Sequence, residues 1–193
     1  MKRVLQVQLT QSDQKRQILL QKLAEHVLQH GLHSASLRPL AAAAGTSDRM
    51  LIYYFGSKDG MLAELLQVMA IKLAQELTQR FDNQGKRATA TFLRDLWTVV
   101  QSEELRPILR IWLEVAAVAS REGGAKISIA KAIGDQFLLW LRSQLAHPAD
   151  AEFTLTFLEG MLVLGEVGHS HSVFAALDRL DAFAAPHPKA TGH

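Results

Sequence analysis

The chain has 193 residues, of which 48% are hydrophobic and 21% charged, a balance that excludes disorder over most of its length. It contains no cysteine, which excludes disulfide scaffolds, thiolate zinc sites and cysteine nucleophiles. The formal net charge of +2 is uneven, because residues 1–60 hold eight Lys/Arg against four Asp/Glu while the remainder holds thirteen against fifteen. The basic N-terminal third is therefore the segment expected to meet a polyanion.

The sequence contains no segment that is typical of a membrane span or a secretion signal. No charge-free stretch approaches the roughly 20 apolar residues that a span needs. Lys2 and Arg3 open the chain as a secretion signal would, but Gln6 and Gln8 interrupt the apolar residues that follow, and no small-residue cleavage site comes after them. The sequence predicts a cytoplasmic protein without a membrane anchor.

Apolar residues recur at intervals of three and four along nearly the whole chain, which is the period of helices with one buried face. Breaks fall at glycines, as at Gly45, Gly56 and Gly123. No alternating segment is long enough for a strand. The sequence predicts an all-α fold of about nine helices, at residues 13–30, 37–44, 48–54, 58–81, 88–101, 104–121, 126–146, 150–168 and 173–184.

The second and third helices have the spacing of a helix-turn-helix. Ser12 or Asp13 is placed to cap the first helix, and Ser36 is placed to cap the second. Gly45 supplies the tight turn without steric penalty. Ala41, four residues earlier, is the small residue needed where the two helices cross. An ordinary helical hairpin is the alternative that this spacing leaves open.

The segment from Ser34 to Met61 contains Ser36-Leu37-Arg38, Ala44-Gly45 and the run LIYYFGSK at residues 51–58. Through these motifs, most specifically the last, residues 13–66 resemble the DNA-binding domain of TetR-family bacterial regulators. It implies an N-terminal three-helix helix-turn-helix domain over residues 1–57. A long fourth helix would join this domain to a larger helical effector-binding and dimerisation domain over residues 58–193.

Three residues depart from the family pattern. Ile52 stands where the family usually has a tyrosine, so one backbone contact to DNA is expected to be missing. Met50 replaces a small hydroxyl residue near the bases, which suggests an apolar contact with a thymine methyl group. Pro39 removes an N–H group that Ser36 would bond, and it disfavours helical angles at Arg38.

The resemblance implies that the third helix enters the major groove with its N-terminal residues facing the base edges. Arg49 would bridge guanine O6 and N7, and Asp48 would accept from a cytosine amine or serve only as a charge at the helix start. One of the adjacent tyrosines is expected to be buried. The predicted DNA-binding residues are Arg38, Thr46, Ser47, Asp48, Arg49, Met50, Tyr53, Tyr54 and Lys58. Outside this set, Lys2, Arg3, Lys15 and Arg16 either attract phosphates or form a solvated face.

The resemblance also implies that the last two helices form a four-helix bundle with a second copy of the chain. The side chains expected at that seam are apolar and recur at helical spacing. They are Phe153, Phe157, Met161, Leu164, Phe174 and Leu177. The alternative is that these residues face the subunit's own core, and their spacing does not separate the two.

The remaining helices hold the three tryptophans and suggest an apolar pocket for a small-molecule effector. Core packing is the alternative explanation of this aromatic cluster. Glu114 is unusual in an apolar run, and a salt bridge to Arg110 or Arg121 is favoured over an effector contact. The predicted pocket residues are Phe92, Trp97, Trp112, Glu114, Phe137 and Trp140.

The predicted function is that of a ligand-responsive transcriptional regulator, a homodimer that represses by binding a palindromic DNA operator. An effector-independent or architectural DNA-binding protein is the first alternative. A helical enzyme is a distant one, because the sequence has no phosphate loop, His-Glu-x-x-His motif or nucleophile motif. His169 and His171 have no third ligand in view, so no metal and no cofactor are predicted.

Overall fold

The computed structural model describes residues 10–81 and 85–184. Lys2 and Arg3, which were candidate phosphate contacts, lie outside these residues. So does the segment around Gln6 and Gln8, on which the prediction of no secretion signal depends. Residues 185–193 at the C-terminal end also lie outside.

Nine α-helices make up most of the described chain, and the predicted all-α fold is confirmed. Each helix begins and ends within three residues of its predicted position. Short 3-10 helices follow α1, at Leu32–Ser34, and precede α8, at Pro148–Asp150. The α-helices are α1 (Gln11–His30), α2 (Leu37–Ala44), α3 (Asp48–Phe55), α4 (Lys58–Phe81), α5 (Thr89–Val100), α6 (Arg106–Glu122), α7 (Ala125–Gln144), α8 (Ala151–Glu166) and α9 (Ser170–Ala184).

Helix α1 is capped by Thr10, and the prediction of Ser12 or Asp13 as its cap was wrong. Thr10 Oγ1 accepts a hydrogen bond from the Asp13 N–H group at 3.1 Å, and Asp13 Oδ2 accepts one from the Thr10 N–H group at 3.1 Å. The Thr10 hydroxyl and N–H groups together hold the pKa of Asp13 below its usual value. The sequence signal was a threonine three residues before an acid, which marks a capping box.

Helix α2 begins without a side-chain cap, although Ser36 occupies the N-cap position. Pro39 lies three residues further on and has no N–H group to donate to the serine hydroxyl, as its sequence position predicted. Pro39 was expected to disfavour helical angles at Arg38, yet α2 runs unbroken from Leu37 to Ala44. Proline is tolerated here because the N–H groups of a first helical turn have no partner within the helix.

The described chain divides into two compact units. The first comprises the residues up to Lys72 together with Arg110–Ile129, and the second comprises Leu73–Leu109 together with the residues from Ala130 onward. Helices α4, α6 and α7 each contribute residues to both units.

The core of the first unit consists of aliphatic side chains from its first four helices. Leu23 and Val27 of α1, Leu40 of α2, Leu51 of α3 and Leu65 of α4 are completely buried. Each of them occupies an apolar position of the helical period, so burial follows the sequence pattern directly.

The core of the second unit contains a group of aromatic rings. Phe92 lies with its ring centroid 5.3 Å from that of Phe81 and 5.8 Å from that of Trp140, and Phe137 stacks on Trp140 at 5.2 Å. The guanidinium group of Arg87 lies 4.8 Å from the centroid of Phe81. Aromatic pairs at these separations contribute beyond their buried area.

The side chain of Trp97 packs on the backbone of α8 at Gly165. A Cβ atom built at Gly165 would lie 2.6 Å from Trp97 Cη2, a separation that real Cβ atoms do not show. We expect Gly165→Ala to lower the free energy of unfolding by about 1–3 kcal/mol, the usual range for overpacking a core. Urea unfolding followed by circular dichroism measures this change.

Gly134 provides the matched control for this prediction. It also lies inside a helix of the second unit, but a Cβ atom there would meet nothing within 4 Å. Gly134→Ala should therefore leave stability unchanged or raise it by up to about 1 kcal/mol, because alanine is the better helix former. Equal effects of the two substitutions would contradict the packing that we describe for Trp97.

Candidate nucleic-acid interface

The turn between α2 and α3 is fixed by hydrogen bonds around Gly45. This glycine has φ 68° and ψ 39°, the left-handed conformation that glycine adopts without penalty. Its N–H group donates to the Ala42 carbonyl at 3.1 Å, and the Thr46 N–H group donates to the Ala41 carbonyl at 2.9 Å. The Lys22 ammonium group adds a bond to the Ala44 carbonyl at 3.3 Å. The end of α2 is thus held by several hydrogen bonds, and α3 leaves the turn in a defined direction.

Helix α3 has one buried face and one exposed face. Leu51 and Phe55 are buried in the first unit. Ser47 caps the helix, because its Oγ accepts a hydrogen bond from the Met50 N–H group at 3.3 Å. The outward face presents a carboxylate, a guanidinium group, a thioether and a phenol, from Asp48, Arg49, Met50 and Tyr53. Tyr53 is 74% exposed, although tyrosine is usually half-buried in folded proteins.

The start of α4 lies close to the end of α3. Ser57 Oγ accepts a hydrogen bond from the Gly60 N–H group at 2.9 Å. A Cβ atom at Gly60 would lie 2.7 Å from the Phe55 carbonyl oxygen, so only glycine permits this approach of the two backbones. Lys58, the first residue of α4, is exposed beside N–H groups that have no partner within the helix. This junction can bind an anion.

The structure brings the predicted DNA-binding residues to the surface of α2, α3 and the start of α4. The rings of Tyr53 and Tyr54 meet edge to face at 5.3 Å, and Tyr54 is half-buried. Thr46 is also half-buried. The exposed members of the set are Arg38, Ser47, Asp48, Arg49, Met50, Tyr53 and Lys58. Together they offer two guanidinium groups, an ammonium group and two hydroxyls, which are donors suited to phosphates and base edges.

Arg16, a further candidate for phosphate attraction, has partners inside the first unit. Its guanidinium group pairs with the carboxylate of Glu64 on α4 and lies 5.5 Å from the centroid of the Phe55 ring. Lys15 beside it is exposed. Arg16 therefore ties α1 to α4, a role that its position in the sequence did not reveal.

A histidine pair on α1 is a second feature that sequence reasoning missed. The rings of His26 and His30 stack with centroids 4.4 Å apart, and His26 Nε2 is buried without a hydrogen-bond partner among the described residues. Burial and, after it, the charge of His30 lower the pKa of His26 from its usual value. The fold thus favours the neutral ring of His26 at physiological pH. The signal in the sequence was the spacing of four residues between the two histidines.

Glu114 accepts a hydrogen bond from the backbone of the first unit. Its Oε2 atom lies 2.7 Å from the N atom of Leu32, in the turn that follows α1. The sequence favoured Arg110 or Arg121 as the partner, and no pattern in it indicated Leu32, which lies 82 residues away.

The predicted pocket residues fall into both compact units. Phe92, Phe137 and Trp140 come together in the aromatic group of the second unit, and Trp97 is buried there against Gly165. The indole Nε1 of Trp140 is buried without a hydrogen-bond partner among the described residues. The other two predicted pocket residues, Trp112 and Glu114, belong to the first unit.

The predicted dimer-seam residues divide by burial. Met161 and Leu177 are buried in the chain's own core, whereas Phe153 and Phe174 are 48% and 53% exposed. Leu164 is also exposed, and Phe157 is half-buried. Val163 of α8 and Val167, which directly follows this helix, add exposed apolar surface that the sequence analysis did not select. An apolar stripe at helical spacing therefore remains uncovered on α8 and α9.

Neither a metal cluster nor a membrane-spanning helix is found in the described ranges. No three His, Asp or Glu side chains in residues 10–81 and 85–184 lie close enough together to hold a metal ion. The rings of His169 and His171 lie 5.6 Å apart as a pair. None of the helices described is long and apolar enough to cross a bilayer.

Comparison with known proteins finds a family match in the N-terminal region. Residues 19–65 match the family model described as bacterial regulatory proteins of the tetR family. These residues contain α2, α3 and the turn between them. No curated protein sequence matches the chain closely enough to count as a relative.

Solved structures with the same fold cover most of the chain. A TetR-family transcriptional regulator from Cytophaga hutchinsonii superimposes with a TM-score of 0.71 at 15% identity, covering 94% of this chain and 100% of that one. The multidrug binding protein EbrR, in complex with proflavin, gives 0.65 at 19% identity, covering 86% and 99%. A putative TetR-family regulator from Rhodococcus sp. gives 0.64 at 19% identity, covering 87% and 97%.

Proposed function

We propose that the chain is a TetR-family transcriptional repressor of the bacterial cytoplasm, because residues 19–65 match the family model of bacterial regulatory proteins of the tetR family. It binds a palindromic operator as a homodimer, releases it when a small-molecule effector binds, and carries out no catalysis. The observation that supports this most directly is the outward face of α3, which presents Arg49 and Tyr53 to solvent beside the turn at Gly45.

The roles of the exposed side chains follow from their chemistry. Arg49 lies in the first turn of α3, where a guanidinium group can bridge O6 and N7 of a guanine in the major groove. Met50 would contact a thymine methyl group, and Asp48 a cytosine amine. Lys58 and Tyr53 would bind phosphates, which fixes the register on the duplex without reading sequence.

The operator is expected to be an inverted repeat. One eight-residue helix makes few base contacts, so tight and specific binding needs two copies of it. The uncovered apolar stripe on α8 and α9, with Phe153, Leu164 and Phe174 exposed, supports a dimer seam there. Two-fold symmetry of the dimer would then match half-sites about one helical turn, roughly 34 Å, apart or slightly more.

The experiment that tests DNA recognition is selection of bound duplexes from a random pool, followed by binding measurements at several salt concentrations. We expect wild-type protein to recover an inverted repeat. Arg49→Ala should cost about 1–3 kcal/mol and relax the preference at one base pair of each half-site. Lys58→Ala should weaken binding to all sequences and lower the salt slope by about 1 for each phosphate that the lysine no longer neutralises.

Lys131→Ala is the matched control, since this lysine is exposed on α7 and pairs with Asp135. It should leave both the preferred sequence and the salt slope unchanged. Binding that is salt-dependent but blind to sequence would replace our proposal with an architectural DNA-binding protein. A complete lack of binding at low salt would contradict DNA binding itself.

Phe174→Glu should turn the dimer into a monomer. A carboxylate placed in an apolar seam loses its hydration without gaining a partner, so the dimer dissociation constant should rise at least about 100-fold. Sedimentation equilibrium measures this change. Leu139→Glu is the control, because Leu139 is 64% exposed on α7, outside the proposed seam helices, and should leave the dimer intact. A dimeric Phe174→Glu protein would contradict the seam.

The effector is expected to be an aromatic or amphipathic small molecule that stacks on Phe137 and Trp140. Support comes from the half-buried rings of these residues, from the unpartnered indole N–H group of Trp140, and from EbrR, which has the same fold and was solved with proflavin. Proflavin is therefore the first probe. Fluorescence polarisation without DNA measures its binding, because planar cations also stack between base pairs.

We expect Phe137→Ala to weaken proflavin binding at least about tenfold, since one stacked aromatic pair contributes roughly 0.5–1.5 kcal/mol beyond the area it buries. Leu139→Ala on the same helix should not weaken it, because the Leu139 side chain is exposed. If both variants bound proflavin with the affinity of the wild type, the proposal that Phe137 and Trp140 form the effector site would be contradicted.

A further inference from the structure

The turn after α1 contains a backbone N–H group that is satisfied by a residue distant in the sequence. Gly31 ends α1 with φ 81° and ψ 166°, and its own N–H group donates to the Val27 carbonyl at 2.8 Å. Leu32 then begins the short 3-10 helix Leu32–Ser34, whose first N–H groups have no partner within the helix. Glu114 Oε2 accepts the hydrogen bond from Leu32 at 2.7 Å.

The Glu114 carboxylate lies against this turn, and Oε2 is the oxygen that accepts the hydrogen bond. The second oxygen, Oε1, would lie 3.2 Å from a Cβ atom at Gly31, so the carboxylate lies directly against the glycine backbone. The Leu32 side chain is buried and, with Val115 and Val118 of α6, lines a cleft with only about 10 Å³ of internal space. That volume has room for one water molecule at most. The hydrogen bond to Glu114 and the apolar packing of Leu32 therefore both hold the turn after α1 against α6.

This contact reaches the helix-turn-helix through a short series of packed helices. α1 packs on α2, and α2 packs on α3, which carries Arg49 and Tyr53. The Arg16–Glu64 pair ties α1 to α4 as well. Glu114 thus connects α6, a helix outside the helix-turn-helix, to the element that positions the recognition helix.

We propose that the Glu114–Leu32 hydrogen bond is a coupling contact that sets the position of the DNA-binding domain on α6, and thereby the spacing of the two recognition helices in the dimer. This inference rests on the proposed function. Without the bond, the end of α1 would move on α6, and only a fraction of dimers would have the spacing that a given operator requires. Apparent affinity falls in proportion to that fraction.

The test compares Glu114→Met with Glu114→Gln in the full-length protein. Methionine matches glutamate in length but accepts no comparable hydrogen bond, whereas the glutamine amide oxygen still accepts one. Binding is measured on the selected operator, on operators whose spacer is one base pair longer or shorter, and on a duplex that holds a single half-site. Amide hydrogen exchange at Leu32 reports directly on the bond.

Glu114→Met should bind the selected operator at least about tenfold more weakly than wild type and bind the single half-site equally well. It should discriminate less between the three spacers and exchange the Leu32 amide at least about tenfold faster. Glu114→Gln should restore binding to within about threefold of wild type. Arg121→Met is the control on the same helix, because the Arg121 side chain is exposed, lies beside Glu122 and does not line the cleft at Leu32.

Two outcomes would overturn the inference while leaving the proposed function intact. If Glu114→Met bound every duplex as wild type does, the bond would not affect the spacing. If it lost affinity equally for the half-site and the operator, Glu114 would only stabilise the domain. Failure of the proposed function would be recognised differently, because the wild-type protein would then recover no operator at all. That result would also contradict the inference.

Discussion

The left-handed backbone at Gly45 is the constraint on which the candidate interface depends. A Cβ atom at this position would meet no neighbour within 4 Å, so the requirement for glycine is conformational rather than steric. Once this turn ends α2 and starts α3, burial of Leu51 and Phe55 orients the helix, and Arg49 and Tyr53 have to face solvent. At Gly60 of the same interface the requirement for glycine is steric rather than conformational. Its φ is an ordinary one, but a Cβ atom there would collide with the Phe55 carbonyl oxygen.

Features set by neighbours in the sequence were largely predictable. Helix positions follow from apolar spacing, and the loss of the Ser36 cap follows from the missing N–H group of Pro39. The cap at Thr10 was equally local, and the prediction missed it because the apolar period begins only after Asp13. The unbroken helix at Arg38 shows the limit of such rules. A dihedral preference before proline was outweighed by a helix that buries Leu40 and Ala44.

Features set by distant residues were not predictable from one sequence. The partners of Arg16 and Glu114 lie 48 and 82 residues away, and no spacing rule reaches that far. Burial on α8 and α9 presents a related problem. Phe153 and Met161 share one apolar pattern, yet the first is exposed and the second is buried, because periodicity defines a helix face and not what covers it. Shape complementarity decides this, and it depends on the whole fold.

The free energy of a single hydrogen bond is comparable to the coupling free energy that allosteric regulation typically requires. Allosteric coupling between two sites typically amounts to about 1–3 kcal/mol, and a hydrogen bond to a charged group contributes about 1.5–3 kcal/mol. The bond from Leu32 to Glu114 is of that kind, and it is partly buried, where water replaces it least readily. Under the coupling that we propose, a ligand that competes for the Glu114 carboxylate, or shifts α6 by enough to lengthen this bond, would change operator affinity by about tenfold or more. Such a ligand would need no contact with α3 itself, only a difference in its affinity for the bonded and unbonded states.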